Sequence, residues 1–265
     1  MDAVLVFDNV SFDFGLGPVL QNVSFSISPG ETLVLHGAAG SGKTVLLKLA
    51  LGLLRPVSGR ILLFGQDVTN LDESEWYDVR ARIGVLFQEG GLFDSLTIAE
   101  NVAYPLLNQP RLKFPMDQID ARVARSLEFV ELGHTLEKVP SELSGGMRRR
   151  VGIARAIVTS PELLLYDSPT AGLDPITANT IMALILKERD ENNATTLMAT
   201  HRHQDGEILV RYRWDKRTAS LRPVGPGEST RTKYLLLRDG RIAFLGTPEE
   251  FDASRDEYVM QFASR

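Results

Sequence analysis

The apolar positions of the N-terminal part of the chain follow strand-like patterns that are interrupted once by a helical stretch. Val and Phe recur with partial alternation in AVLVFDNVSFDF and VLQNVSFSI, and a Gly-Leu-Gly-Pro break separates these runs, which predicts two strands. The continuous apolar run ETLVLHG ends at a glycine. Such a run is typical of a buried strand that leads into a loop and then a helix, here GKTVLLKLALGLL. A further short strand is predicted in GRILLFG.

The middle of the chain, from about Leu92 to Ser160, has helical spacing instead. In MDQIDARVARSLEFVEL the apolar residues recur on one helical face, and Asp117 is positioned to cap the helix. Prolines at positions 105, 110 and 115 precede it. This pattern predicts a helical subdomain, over about residues 92–160, inserted into the strand-rich part. The apolar face comprises Ile119, Val123, Leu127 and Val130.

Strands and helices alternate after this stretch. We predict a strand in PELLLYD, a helix in DPITANTIMALILKERD and a strand in ATTLMAT, so the fold class is α/β with a mostly parallel sheet. The Asp-Gly pair between two apolar runs of KYLLLRDGRIAFLG predicts a hairpin. Before it lies the polar, basic stretch RYRWDKRTASLRPVGPGESTR, which we interpret as an insertion or long loop within about residues 205–231. Its charge either attracts a partner or belongs to a solvated surface loop.

Composition narrows the classes of function. The chain has 265 residues, a net charge of -5 and no cysteine, which excludes disulfides, thiolate nucleophiles and zinc–thiolate sites. The N-terminus lacks the basic region and long apolar core of a signal peptide, and no apolar run approaches the roughly 18–20 residues of a membrane span. We therefore expect a cytosolic protein whose membrane role depends on a partner. The mild acidity argues against nucleic-acid binding.

The segment GAAGSGKT, residues 37–44, fits the phosphate-loop pattern G-x-x-x-x-G-K-[ST]. Its glycines allow successive backbone N–H groups to turn towards a phosphate, and the following helix offers its positive end. The lysine is expected to reach the terminal phosphates of a nucleotide, and the threonine to bind Mg²⁺. A glycine-rich turn without a ligand would also fit the pattern, but the position between a buried strand and a helix favours phosphate binding. The predicted ligands are Gly37, Ala38, Ala39, Gly40, Ser41, Gly42, Lys43, Thr44 and Val45.

A second acid supports this hypothesis. In LLLYDSPTAGLD an apolar run ends at Asp167, and in phosphate-loop proteins an acid at such a strand end holds Mg²⁺. By itself, Asp167 would be better explained as a residue that caps the next turn. Together with the phosphate loop, it indicates a site for Mg²⁺ and ATP.

Between these motifs lies LSGGM, and the ordered set now resembles the ATPase subunits of ABC transporters. In chain order the set consists of GAAGSGKT, VLFQEG, LSGGM, LLLYDSPTAGLD and LMATHR, and it covers nearly the whole chain. The resemblance implies one ABC ATPase domain over residues 1–265. Its phosphate-loop core and antiparallel β subdomain would occupy about residues 1–91 and 161–265, with the helical subdomain inserted between them.

The resemblance also implies how ATP is held. Two protomers would bind two ATP molecules in a head-to-tail homodimer. The LSGGM residues Ser144, Gly145, Gly146 and Met147 would bind the γ-phosphate of the ATP on the other protomer, and Asp174 would line the dimer seam.

Three further roles follow from the same resemblance. Gln88 would contact the metal and the attacking water, and His201 would bind the γ-phosphate. Phe14 would stack on adenine, although either Phe12 or Phe14 could instead belong to the core.

A narrower set of segments is similar to the ATPases of the Mla/Mce lipid-transport systems, the MlaF type. These segments are LFQEGGLFDSLTIAENVAYPL, ELSGGMRRRVGIARAI and AGLDPIT, with Met147 where most ABC proteins carry Gln. The resemblance implies a peripheral ATPase on the cytoplasmic face of the inner membrane, bound to an MlaE-like ABC permease. A lipid-binding Mce-domain protein would be an indirect partner, and the complex would move phospholipids or other hydrophobic molecules.

Ser168 departs from the family pattern, which has Glu at this position. A hydroxyl cannot act as the base, so we expect slow hydrolysis, with water positioned by Gln88 and His201. Three alternatives stay open: Glu89 replaces the missing acid, the chain is an ATP-gated clamp with little turnover, or Ser168 was introduced to trap ATP. A heterodimer with a Glu-bearing partner would make this chain the weaker half. Arg202, where an acid is common, is a second departure.

Two other classes of function compete with a transport motor. One is a non-transport ABC protein, such as an assembly factor or a nucleic-acid-associated factor. Such proteins tend to have two ATPase units or long coiled-coil arms, and neither is apparent here. The other is a regulatory nucleotide switch, which predicts tight ATP binding with almost no phosphate release.

Overall fold

The computed structural model of the chain describes residues 2–88, 90–109 and 114–263, which form two compact units. The first unit consists of Met1–Asp72 and Leu186–Arg265, and the second of Glu73–Ile185. The predicted helical subdomain, residues 92–160, falls inside the second unit, which also contains strands on either side of it. The boundaries of the subdomain stay a prediction.

Strands occupy both units. Within the described residues they are β1 Leu5–Asp13, β2 Pro18–Ile27, β3 Thr32–Gly37, β4 Ser58–Leu63, β5 Gln66–Asp67, β6 Ile83–Leu86, β7 Leu163–Asp167, β8 Thr195–Ala199, β9 Tyr212–Asp215, β10 Ser220–Pro223, β11 Thr232–Arg238 and β12 Arg241–Gly246.

Helices follow half of these strands. Within the same residues they are α1 Lys43–Ala50, α2 Glu73–Arg80, α3 Ile98–Asn108, α4 Met116–Phe129, α5 Gly145–Ile157, α6 Pro175–Asn192, α7 His203–Arg211, α8 Pro248–Asp252 and α9 Glu257–Ala263. None of them is both long enough and apolar enough to cross a lipid bilayer.

The first unit combines an antiparallel sheet with a mainly parallel one. The antiparallel sheet has the strand order β2–β1–β4–β5, and Leu5 pairs with Ile27 on one side and Leu63 on the other. In the second sheet β11 and β8 flank β3 in parallel, and β12 pairs antiparallel with β11 as the predicted hairpin. All six residues of β3 are buried, which explains its continuous apolar run. This strand delivers the chain to the phosphate loop.

The second unit contains the parallel pair β6–β7 and the helices α2 to α5. Strand β7 is buried throughout and ends at Asp167. The predicted helix of residues 116–132 is present as α4, with Ile119, Val123 and Leu127 buried. The prediction for Asp117 was wrong, because Pro115 occupies the N-cap position and makes no side-chain bond, while Asp117 lies in the first helical turn.

The segment interpreted as an insertion or long loop is ordered. It contains the end of α7 and a hairpin of β9 and β10, in which Trp214 pairs with Leu221. The guanidinium of Arg189 fixes the base of this hairpin by donating to the carbonyls of Leu209 (2.6 Å) and Tyr212 (2.9 Å). The Arg189–Asp190 ion pair at 2.9 Å has side chains only 4% and 8% exposed. The segment therefore folds as part of the first unit.

Candidate nucleotide site

The phosphate loop joins the buried end of β3 to the first turn of α1. Gly37, Gly40 and Gly42 have φ values of 150°, 77° and 99°, a region that residues with a β-carbon adopt only with strain. Gly42 is the N-cap of α1, and no side chain caps this helix. The N–H groups of its first turn are therefore available to an anion.

Two of these glycines also lack room for a side chain. A β-carbon on Gly37 would lie 2.5 Å from the Ser41 hydroxyl and 2.8 Å from the carbonyl oxygen of Leu237. A β-carbon on Gly42 would lie 2.8 Å from a methyl group of Leu20. Both glycines are thus required by close packing as well as by backbone conformation.

The Lys43 ammonium lies inside the loop. It donates to the carbonyl oxygens of Gly37 (2.7 Å) and Ala38 (2.9 Å) and lies 3.5 Å from the Ser41 hydroxyl. Ala38, Ala39 and Gly40 are exposed, so the outer side of the loop is open. A cation held by carbonyls inside an open glycine loop fits a bound phosphate group. Thr44 is exposed and Val45 half-buried in the same helical turn.

Phe14, the predicted adenine platform, follows β1 in the first unit. Its side chain is 59% exposed, whereas Phe12 is 7% exposed and belongs to the core. The two rings meet edge-on, with centroids 4.8 Å apart. Of the two candidates, Phe14 is the one with a face free to stack on a base. Its contact with adenine stays a prediction.

Two histidines of the first unit have different environments. His201, the predicted γ-phosphate ligand, is exposed in the bend after β8. His36, the residue before Gly37, is 1% exposed, and its ring lies among Tyr234, His203 and Phe251 at centroid distances of 5.4, 6.4 and 6.4 Å. Burial, together with the charges of His203 and Lys43, lowers the pKa of His36 to about 3. A neutral imidazole therefore lies beneath the phosphate loop.

Asp167 and Ser168 lie at the end of β7 in the second unit. Asp167 is 7% exposed, and the Ser168 hydroxyl donates to its carboxylate at 3.1 Å. Ser168 has a φ of 50°, the left-handed region that side chains rarely adopt. Its hydroxyl is therefore a partner of the acid, and it offers no group that could accept a proton from water at neutral pH.

The LSGGM motif forms the N-terminus of α5. Ser144 is the N-cap, and its hydroxyl oxygen accepts from the Met147 amide at 3.2 Å, so the hydroxyl hydrogen can still be donated. Ser144 and Gly145 are exposed, whereas Gly146 and Met147 are half-buried. An exposed helix start that combines a hydroxyl with two glycines can bind a phosphate group.

A cleft of about 700 Å³ lies beside this helix start. Gln88, the predicted metal and water ligand, lines it and is exposed. Glu89, the alternative acid, lies outside the described residues. The full lining consists of Gln88, Gly91, Leu92, Asp94, Gly145, Arg148, Arg149, Ala171, Gly172 and Leu173. The second unit thus brings the predicted residues Gln88 and Gly145 to one cleft.

Asp174 caps α6. Its carboxylate accepts from the amides of Ile176 and Thr177, both at 3.0 Å, and from the Thr177 hydroxyl at 2.6 Å. The Thr177 hydroxyl and amide hold the pKa of Asp174 below its usual range. The carboxylate is thus engaged by the helix, and its part in a dimer seam stays a prediction.

The donors predicted for magnesium are a hydroxyl on Thr44, an amide on Gln88 and a carboxylate on Asp167. Such oxygen donors suit Mg²⁺, which prefers oxygen ligands and keeps several waters or phosphate oxygens. Across the described ranges, no group of three or more His, Asp or Glu residues could hold a metal ion by itself.

One residue with a position in this site was missed by the sequence analysis. Arg149 is 4% exposed, and its guanidinium donates to the carbonyls of Ser168 (3.3 Å) and Ala171 (3.1 Å). Three consecutive arginines after LSGGM are typical of a solvated basic face. The usable signal was the helical spacing, because Arg149 shares a face with the buried Ile153 and Ala156.

Comparison with known proteins places the chain in a large family. Residues 20–171 match the family described as ABC transporter. The protein is similar to the methionine import ATP-binding protein MetN of Bifidobacterium longum (strain NCC 2705), with 39% identity over 76% of this chain and 51% of that protein. It is also similar to the probable ribonucleotide transport ATP-binding protein mkl of Mycobacterium leprae (strain TN), with 41% identity over 71% of this chain and 54% of that protein. The chain thus spans about half the length of these two relatives.

A third relative matches over most of the length of both proteins. The intermembrane phospholipid transport system ATP-binding protein MlaF of Haemophilus influenzae (strain ATCC 51907 / DSM 11121 / KW20 / Rd) is 34% identical over 96% of this chain and 88% of its own length. Among solved structures, the dimeric ATP-binding cassette MJ0796, in a post-hydrolysis state with ADP and Pi, superposes with a TM-score of 0.75 and 28% identity. That match covers 92% of this chain and 98% of the other. The predicted α/β fold with a mostly parallel sheet is confirmed, and the chain belongs to the ABC transporter family as one of its ATP-binding cassettes.

Proposed function

We propose that the chain binds Mg-ATP and hydrolyses it slowly as the ATPase subunit of an ABC transporter. The observation that carries this proposal is the phosphate loop, in which Lys43 already occupies the interior and the start of α1 is uncapped. Lys43 would exchange its carbonyl contacts for the terminal phosphates. Thr44, Gln88 and Asp167 would be the protein's oxygen ligands of Mg²⁺, and His201 would bind the γ-phosphate. Magnesium supplies charge neutralisation on the phosphates when bound.

We further propose a head-to-tail homodimer in which the start of α5 binds the partner's ATP. Ser144 and Gly145 are exposed, and this supports a role for the helix start towards an external phosphate. Ser144→Arg should block ATP-driven dimerisation because its bulk fills the space of the partner's phosphate. Size-exclusion chromatography with and without ATP tests this, and a normal dimer peak with ATP would contradict the sandwich. Glu142→Arg, an exposed position two residues earlier, is the matched control.

A second candidate function is an ATP-gated clamp, which the Ser168–Asp167 contact favours. The hydroxyl is directed at the carboxylate, and a general base typically contributes about 10²–10⁴-fold to a rate. Phosphoryl transfer depends mainly on positioning and charge stabilisation, so the loss of the acid should slow turnover and not abolish it. Phosphate release by the purified chain, measured beside Lys43→Ala, separates the two. Release above the Lys43→Ala background supports the motor, and release equal to it supports the clamp.

For the transported substrate we propose phospholipids or similar hydrophobic molecules. The support is the match to the MlaF protein over 96% of this chain and 88% of that protein, together with Met147 in the signature motif. The MetN and mkl relatives have identities at least as high over shorter stretches, and their names indicate methionine and ribonucleotides as the competing substrate classes.

We propose an MlaE-like permease in the inner membrane as the direct partner, with a lipid-binding Mce-domain protein as an indirect one. Exposed apolar side chains on the second unit support a docking site for a permease helix. They are Phe87 (42% exposed), Phe93 (42%), Tyr104 (38%) and Leu107 (53%). The chain would then lie at the cytoplasmic face of that membrane.

The substrate and partner proposals share one experiment. The tagged chain is isolated from detergent-solubilised membranes of its own source, its partners are identified by mass spectrometry, and the complex is kept in detergent without added lipid. Phosphate release is then measured with added phospholipid, methionine or ribonucleotide. Stimulation by phospholipid alone supports the lipid proposal, whereas stimulation by methionine or a ribonucleotide overturns it. Absence of any permease would contradict the transport role itself.

A further inference from the structure

We propose that Arg149 is a positioning residue that links the two ATP sites of the dimer within each protomer. Its guanidinium joins helix α5, whose start would bind the partner's ATP, to the loop of residues 167–174 beside the protomer's own ATP. The inference rests on the proposed function and names a residue that regulates the same site.

The contacts of Arg149 are made with both ends of one turn. The amide of Ala171 donates to the carbonyl of Ser168 at 3.1 Å, which closes the turn over Ser168, Pro169, Thr170 and Ala171. The guanidinium of Arg149 then donates to the carbonyls of Ser168 and Ala171, at 3.3 and 3.1 Å. A planar fork with several donors can hold two carbonyls in a fixed relation, which a lysine ammonium cannot do equally well.

The turn also contains a strained backbone conformation, which the contacts of Arg149 can stabilise. Ser168 has a φ of 50°, and this conformation is unfavourable for a residue with a β-carbon unless its surroundings stabilise it. The conformation directs the Ser168 hydroxyl to the carboxylate of Asp167. The Arg149 guanidinium on the Ser168 carbonyl therefore acts on the backbone that sets this hydroxyl in place.

A second contact joins the same two segments further along. A β-carbon on Gly146 of the signature motif would collide with the methyl group of Thr177. The hydroxyl and amide of Thr177 in turn donate to the carboxylate of Asp174. Helix α5 thus contacts the loop near its start through Arg149 and at its end through Gly146 and Thr177.

These contacts give a route between the sites. A displacement of α5 when Ser144 receives the partner's phosphate would move the Ser168–Ala171 turn, because Arg149 holds both of its carbonyls. Asp167, the proposed magnesium ligand, is the last residue of β7 and immediately precedes this turn. Binding of ATP at one site would therefore favour the geometry required at the other, which is positive cooperativity between two sites.

The experiment compares Arg149→Met and Arg149→Lys with the wild-type chain. Arg150→Met is the matched control, because the neighbouring arginine on α5 also donates to a carbonyl, that of Val130 at 3.2 Å, away from the loop. ATP-driven dimerisation is titrated by sedimentation velocity, and ATP affinity of the monomer is measured with a fluorescent ATP analogue at low protein concentration. Melting temperatures report on folding. None of these measurements requires turnover.

We expect a sigmoidal ATP dependence of dimerisation for the wild type and Arg150→Met. For Arg149→Met we expect a Hill coefficient below that of the wild type and an ATP midpoint raised about tenfold, as the loss of bonds from a charged donor implies. Arg149→Lys should be intermediate, and the ATP affinity of the monomer should stay within about twofold of wild type in all variants.

Two results would overturn the inference. A folded Arg149→Met that keeps the wild-type midpoint and Hill coefficient excludes the link. If Arg149→Met and Arg150→Met lose cooperativity equally and their melting temperatures fall equally, the role of Arg149 is purely structural. Failure of the wild type itself to bind ATP or to dimerise with it would instead refute the proposed function, and the two failures are therefore distinguishable.

Discussion

The phosphate loop and the loop after Asp167 both follow fully buried parallel strands, yet they are built in different ways. In the phosphate loop the backbone and one lysine would form the binding surface, and the segment GAAGSGKT fits the phosphate-loop pattern throughout. In the second loop the decisive chemistry depends on one side chain, and there Ser168 stands in place of an acid. The penultimate residue of each strand is buried, His36 in β3 and Tyr166 in β7.

The difference separates binding from turnover. A site made of backbone amides requires only glycines and a helix start, so nucleotide binding persists when a side chain elsewhere changes. Hydrolysis requires water to be positioned and polarised, which one substitution can impair without disturbing the fold. Substitutions at Ser168, Lys43, His36 and Phe14 test this separation, and their expected effects decrease in that order.

Ser168→Glu should raise phosphate release by about 10²–10⁴-fold, the usual contribution of a positioned general base. The change adds the missing acid next to Asp167, and ATP affinity should be little affected because the phosphate loop is unchanged. Ser168→Gln is the matched control, since glutamine has nearly the same shape as glutamate but carries no charge. Equal rates for the Glu and Gln variants would show that the acid is not what this loop lacks.

Lys43→Ala should weaken ATP binding by at least about a hundredfold, because it removes charge-assisted hydrogen bonds of about 1.5–3 kcal/mol each to the phosphates. Isothermal titration with Mg-ATP measures the effect. Lys48→Ala, at an exposed position one turn later on α1, should leave the affinity unchanged. Unaltered ATP affinity in Lys43→Ala would refute the assignment of the phosphate loop.

Burial of His36, the residue before the phosphate loop, predicts that the stability of the folded chain depends on pH. Its pKa is about 3 in the folded chain, against about 6.5 unfolded, so the unfolded state binds the proton first as pH falls. The contribution of the neutral imidazole to the free energy of unfolding is fully present above about pH 6.5 and is lost as pH falls towards 3. At pH 5 this residue should account for about 2 kcal/mol of lost unfolding free energy.

Urea unfolding at pH 7.5 and pH 5 measures this loss. His36→Leu should remove about 2 kcal/mol of the difference between the two pH values. His134→Leu is the control, since that histidine lies in the second unit. The same pH response in wild type and His36→Leu would assign the acid sensitivity to other groups.

Phe14→Ala should have the smallest effect, a loss of ATP affinity of about 2–10-fold, because an aromatic stacking contact contributes about 0.5–1.5 kcal/mol. The melting temperature should not change, since the side chain is 59% exposed. Leu16→Ala, two residues on and 97% exposed, should leave the affinity unaltered. If only the melting temperature falls, Phe14 belongs to the core and not to the nucleotide site.

Much of the fold was predictable because its signals are local. The buried run before Gly37 and the Asp-Gly turn before Arg241 each predicted an element that the structure contains. The phosphate loop was predictable for the same reason, since its conformation requires glycine at particular positions. The exposed side of the site, at Phe14 and His201, depended on the family resemblance, because single aromatic residues and histidines are common at positions that bind no nucleotide.

The features that were missed depend on contacts between distant parts of the chain. In the sequence, Arg149 stands among three arginines and is expected to be solvated. In the structure it is buried, because its guanidinium donates to the carbonyls of Ser168 and Ala171. The hairpin of β9 and β10 has short strands and no Asn-Gly or Asp-Gly turn, so its polar sequence predicted a loop. Its order depends on the buried Arg189, which contacts the base of the hairpin although it lies far earlier in the sequence.

The hairpin of β9 and β10, anchored by Arg189, makes its own tip a suitable site for modifying the chain. Its base is fixed by Arg189, whereas Arg217 at its tip is 92% exposed and can be cut or extended without touching the buried pair. Trypsin should therefore nick the native protein near Lys216 and leave both fragments associated through strand β11. The same tip could accept a fluorophore, a peptide tag or the new termini of a circular permutant. A label at the hairpin tip would then report on the cassette as it binds and releases nucleotide.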